Sequence, residues 1–183
     1  MKTSSIKPLL GFLLIAISGQ AYSANDEVGG AGNNNNVVVT DNTLWTTLRT
    51  VNHTVNGGVG TNDCMVVASA DVSNPSPSTG KQYLFTITRN NTGNGVTPLA
   101  ENGSAEKTLE FVDNAGVDDP NRKPVSTNVV FTGLTSTNGT TGTNLHTFYL
   151  LGKKKSVHPD GSTTAPDLTV EDSRVDFVCV DRD

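Results

Sequence analysis

The sequence predicts an all-β protein, an antiparallel β-sandwich of jelly-roll type, and three observations carry that expectation. From Val37 onward the chain is written in Val, Thr, Leu and Phe, punctuated by Gly, Asn, Asp and Pro, which is the vocabulary of strands and tight turns. Apolar residues recur at a spacing of two in several short runs. No stretch of about ten or more residues shows a helical period with capping residues at its ends.

Taken in order, the chain opens with Lys2 and Lys7, an apolar run from Leu9 to Ile17, and the small-residue exit Ala21-Tyr22-Ser23. That is the pattern of a cleavable secretory signal, so residues 1–23 read as a signal peptide. The apolar run is far shorter than the roughly 20 residues that span a bilayer, and no later segment reads as a membrane span. Residues 24–36 hold Gly29-Gly30-Ala31-Gly32 and then Asn33 to Asn36, with little to bury, and read as a flexible leader. Residues 37–183 read as one β-sandwich domain, a size that encloses a real core.

Within that domain Leu44 to Val51 is the first strand candidate. Cys64, Val66, Ala68 and Ala70 share one face of the next. Tyr83, Phe85 and Ile87 alternate with Leu84, Thr86 and Thr88, and Leu109 and Phe111 alternate less cleanly with Thr108 and Glu110. Val125 to Phe131 follows. Leu145 to Leu151 is apolar on both faces apart from His146 and Thr147, as a central strand covered on both sides requires. Leu168 to Val170 is a short candidate, and Val175, Phe177 and Cys179 share a face of the last strand. Between these lie turn signals such as Asn56-Gly57-Gly58, Asn74-Pro75, Asp118-Asp119-Pro120 and Pro159-Asp160-Gly161, and a longer insert from Ser136 to Gly142.

Charge excludes some partners. The net charge is −5, and the signal segment removes two lysines and no acid, so the remaining chain is more acidic still. Such a surface offers no footprint for nucleic acid. Lys153-Lys154-Lys155 is the only basic run and reads as a solvated strand edge.

Cys64 and Cys179 suit export into an oxidising compartment, secreted, periplasmic or extracellular, and read as a disulfide, with free thiols the alternative. Two cysteines with no neighbouring histidine pair do not read as a zinc site. His53 and His158 lie beside turns and read as solvated, and His146 as a structural strand residue. No Gly-x-Ser-x-Gly nucleophile turn occurs, and no histidines cluster in sequence, so neither a catalytic residue nor a cofactor is assigned. Carboxylates gather in two places. Asp113, Asp118 and Asp119 flank one loop, and Asp167, Glu171, Asp172 and Asp176 surround another. Hard oxygen ligands in loops suit calcium, with ordinary turn chemistry as the competing reading. Asp113, Asp118, Asp119, Asp167 and Asp172 are the candidate ion ligands.

Thr132-Gly133-Leu134, followed after the insert by His146-Thr147-Phe148-Tyr149-Leu150-Leu151 and by a closing strand entered through Asp172-Ser173, resembles the C1q/TNF-like jelly roll in its bacterial and phage form. Trp45-Thr46-Thr47-Leu48 leading to Met65-Val66-Val67-Ala68-Ser69-Ala70 is similar to the start of that family. The resemblance implies a trimerising binding or structural module without enzymatic activity. The expected function is therefore a secreted or envelope-associated module that binds an unknown protein or glycan. The alternatives are a pilus-like surface-fibre subunit, with residues 24–36 as a donated extension, and a secreted hydrolase using the loop carboxylates.

Overall fold

The computed structural model describes residues 27–33, 36–55, 60–73, 80–90, 107–111 and 122–182. The expected signal peptide, and Asp113, Asp118 and Asp119, lie outside the described residues. Among the described residues nine strands follow in order: β1 (Glu27–Asn33), β2 (Val37–Val39), β3 (Thr46–Thr54), β4 (Thr61–Ser73), β5 (Lys81–Arg89), β6 (Lys107–Phe111), β7 (Arg122–Leu134), β8 (Leu145–Lys154) and β9 (Leu168–Arg182). A 3₁₀ turn, Thr140–Gly142, sits before β8.

The strands form two antiparallel sheets packed face to face, which makes the fold a β-sandwich. The first sheet runs β1-β9-β4-β7, with β2 also on β9; the second runs β3-β8-β5-β6. Hence β2 pairs with β9, β3 with β8, β4 with β7 and β5 with β6, a nested set of pairs that alternate between the sheets.

Alternation builds the interior. Cys64, Val66, Ala68, Ala70 and Val72 of β4 face inward, meeting Val175, Phe177 and Cys179 of β9, Val129 and Phe131 of β7, and Phe148 and Leu150 of β8. Removing such apolar surface from water is the main favourable term, at roughly 25 cal/mol per Å². Phe148 lies between two aromatic neighbours, stacked on Phe131 at 5.3 Å and tilted against Phe177 at 5.7 Å between ring centres.

Three features depart from expectation. Residues 27–33 are a strand rather than part of a flexible leader, in register with residues 173–179 of β9. The glycines are what permit it. A Cβ on Gly29 would lie 2.5 Å from Phe177 Cζ, so only a bare backbone reaches the sheet edge there. Next, Leu168–Val170 and the closing strand are one strand with a register shift opposite Asp71 and Val72. Glu171 is the extra residue, which turns the buried set from even numbers (Leu168, Val170) to odd ones (Ser173, Val175, Phe177, Cys179). Finally, β8 is central, covered on both faces as expected, and this changes the fate of its lysines. Lys154 is buried against Asp167 at 2.6 Å, Lys155 Nζ donates to Gln82 Oε1 at 2.7 Å, and Lys153 lies over the Trp45 ring at 4.5 Å. The run is a set of internal contacts, not a solvated edge.

Candidate functional site

Two regions carry chemistry that packing alone does not require. One is the outer face of the β1-β9-β4-β7 sheet. Alternation that sends Cys64, Val66 and Ala68 inward sends Met65 and Val67 outward. The register places Val28, Val178, Met65 and Val130 side by side across four strands. All four are exposed, at 79%, 39%, 47% and 49%, with Val67 and Val180 exposed beside them. Arg174 and Asp176 pair at 2.7 Å at one margin of this row. A contiguous apolar row is unusual on a solvated face, where single scattered apolar residues are the norm.

The second region lies directly beneath. Cys64 of β4 and Cys179 of β9 are opposite one another and form a buried disulfide. His53 of β3 comes over from the other sheet, so that one of its ring nitrogens and both sulfurs lie within 4.8 Å of one another. His53 faces Phe177 at 5.3 Å and stands across the β3-β8 ladder from His146. Glu27 of β1, opposite Cys179, brings Oε2 to 2.9 Å from His53 Nδ1. A carboxylate only accepts, so Nδ1 carries the hydrogen of this contact. Nε2 is buried and has no hydrogen-bond partner among the described residues.

His53 and His158 are therefore buried, not solvated. The sequence does hold the signal for His53, because it alternates in phase with Val51 and Val55 on the apolar face. His146 is buried as a strand residue and reaches the Thr135 carbonyl through Nε2 at 2.9 Å. His158 anchors a clamped loop. Its Nδ1 accepts the Gln82 backbone N–H at 3.0 Å, and its own backbone N–H bonds the Ser162 carbonyl. Beside it Lys81 reaches Asp160 at 2.7 Å and also Ser162, and Tyr83 Oη donates to the Pro166 carbonyl at 2.8 Å. Burial, then the Lys81 charge, hold the His158 imidazole below its ordinary value. Burial, with the Asp167 charge added, pushes the Tyr83 hydroxyl up to about 12.

The second group of candidate ion ligands is not gathered. Asp167 lies before β9 and pairs with Lys154, Glu171 pairs with Arg122 at 2.5 Å, and Asp176 pairs with Arg174. Asp172 is exposed on β9, opposite Asp71 of β4. A continuous bulged strand spreads these carboxylates at roughly 3.3 Å per residue, where a loop would have folded them together. Asp41 is a carboxylate tied into a turn. Its Oδ1 accepts from the Thr43 and Leu44 backbone N–H groups and from the Thr43 hydroxyl, which lowers its pKa to about 2. Among the described residues no helix is long and apolar enough to cross a membrane.

No protein-family model matches this chain, and no curated protein matches it at a significant level.

Proposed function

We propose that this chain is an exported, non-enzymatic module that self-associates through the outer face of the β1-β9-β4-β7 sheet and presents its loops for binding. The observation that carries the reading is the row Val28, Val178, Met65 and Val130, open to water across four strands. Covering such a row is what an isologous or cyclic contact between copies does. The nested pairing of β2 with β9, β3 with β8, β4 with β7 and β5 with β6 supports a jelly-roll description, and with it the resemblance to the C1q/TNF-like modules and the trimer they imply. The buried disulfide supports an oxidising compartment.

The test is the solution mass of the chain without its first 23 residues, by sedimentation over a concentration series, beside Met65→Glu and Val178→Lys. The expected result is a multiple of the monomer mass that falls to the monomer in both variants. A monomer at every concentration removes the reading.

A surface-fibre subunit is the second reading, favoured by β1, an edge strand that pairs with β9. Donation of that strand to a neighbour would use the same ladder. Ladders on unboiled gels that vanish when residues 24–36 are deleted would support it, and their absence ends it.

A further inference from the structure

The buried group formed by His53, Cys64 and Cys179 is a set of metal ligands held closed by a covalent bond. Its donors are two sulfurs and an imidazole, the set that selects zinc and other thiolate-seeking ions over calcium or magnesium. Its geometry is close to what such an ion needs. Zinc holds sulfur at about 2.3 Å and nitrogen at about 2.0–2.1 Å, which puts donors in a tetrahedral site roughly 3.5–3.8 Å apart. Here the three donor atoms already lie within 4.8 Å of one another, so modest side-chain rotation brings them together once the sulfurs separate. An independent observation points the same way. His53 is clamped at Nδ1 by the Glu27 carboxylate and buries Nε2 with no hydrogen-bond partner among the described residues. A carboxylate on one ring nitrogen fixes the tautomer and leaves the other lone pair for a metal.

We propose that reduction of the Cys64–Cys179 bond converts this cluster into a zinc site, with Cys64, Cys179 and His53 as ligands and Glu27 as the positioning residue. A dithiol supplies two electrons and two protons to the S–S bond and itself becomes a cyclic disulfide, leaving Cys64 and Cys179 as thiols. Zn²⁺ then displaces both thiol protons to solvent and takes the two thiolates and the imidazole lone pair. The fourth position stays open, as in three-ligand zinc sites. The route in is β1. It is the outermost strand of its sheet, and its Glu27 stands opposite Cys179.

The full chain, reduced with dithiothreitol, desalted without oxygen and titrated with Co²⁺ and then Zn²⁺, tests this. One Co²⁺ per chain is expected, with thiolate-to-cobalt charge transfer in the near ultraviolet and intense tetrahedral d–d bands that Zn²⁺ abolishes. The unreduced chain gives neither. His53→Gln should weaken binding at least tenfold. Glu27→Gln should weaken it by about 10–100-fold while the charge-transfer band persists. Absence of the bands in the reduced wild type overturns the proposal, and so do equal spectra and affinity in His53→Gln or equal binding by the unreduced chain. Should His53→Gln fail to fold by circular dichroism, the Glu27→Gln titration decides, and an unchanged affinity there overturns the role given to the His53–Glu27 pair.

Discussion

Gly29→Ala compared with Gly32→Ala isolates what docks β1. Both glycines lie in the same strand and pair with β9, at Phe177 and Arg174 respectively. A methyl on Gly29 would sit 2.5 and 2.6 Å from two Phe177 ring carbons, well inside contact distance. Phe177 is buried between His53 and Phe148 and cannot swing away without disturbing both. The methyl must therefore lift the strand or shift the ring, a type of overpacking that costs about 1–3 kcal/mol. A methyl on Gly32 meets nothing closer than 4.0 Å, and alanine restricts the unfolded chain, so that variant should be neutral or gain about 0.4–1 kcal/mol. For a domain of this size each kcal/mol moves the thermal midpoint by about 2–4 °C. Urea midpoints and melting curves of the two variants should separate in opposite directions. Equal midpoints for the two would refute the contact between Gly29 and Phe177 and the pairing of β1 with β9.

Phe148→Ala removes the middle ring of the Phe131, Phe148 and Phe177 group and should cost about 3–5 kcal/mol in urea unfolding, within the range for buried aromatic truncations. The raised Tyr83 value gives an alkaline limb: the folded chain keeps its hydroxyl proton between pH 10 and about 12 where the unfolded chain has lost it, so that contribution is whole below pH 10 and gone above about 12. Tyr83→Phe should flatten that limb in urea midpoints measured across it. His158 gives the opposite limb. Its folded value lies below 6.5, the unfolded chain takes the proton first as pH falls, and stability present above pH 6.5 declines below it. Lys81, Lys154, Lys155 and Asp160 face it, the lysines opposing the proton and Asp160 favouring it. His158→Phe should remove the decline near pH 6 without touching the further loss at lower pH, where Asp41, held at about 2, takes its proton.

The strands that carry a side-chain period were legible, and those whose evidence lies on a partner were not. Tyr83, Phe85 and Ile87 mark β5 by themselves, and Cys64, Val66, Ala68 and Ala70 mark β4. β1 has no such mark, because Gly29, Gly30 and Gly32 contribute no side chain. The reason they form a strand is Phe177, far away in sequence. The single extra residue at Glu171 broke the period of β9 and made one strand read as two. Of the functional regions, the disulfide was legible from composition and alternation. The exposed row was not, because Met65-Val66-Val67 and Phe177-Val178-Cys179 are apolar on both faces, and a one-dimensional pattern does not say which face a second layer covers. Glu27 escaped for the same reason as β1.

The two sheets resolve that ambiguity differently, and the difference ties the two proposals together. On the β3-β8-β5 side, Thr86, Thr88 and Leu151 point away from the core yet are buried. On the β1-β9-β4-β7 side the row of Val28, Val178, Met65 and Val130 is bare. Cys64 precedes Met65 and Cys179 follows Val178, so the cross-link joins the two strands at the centre of that row, on its inner side. A copy seated on the row would press on Val28 and so hold β1 down over Cys179 and His53. On the proposed route, in which β1 lifts to admit a dithiol to the sulfurs, self-association should protect the disulfide by mass action, as any partner that binds only the closed form does. The rate of reduction by dithiothreitol, followed by thiol labelling, should then fall as protein concentration rises. In Met65→Glu it should be fast and independent of concentration. A rate that ignores concentration in a wild-type chain shown to associate would mean that the copies meet elsewhere, and that β1 opens freely within the assembly.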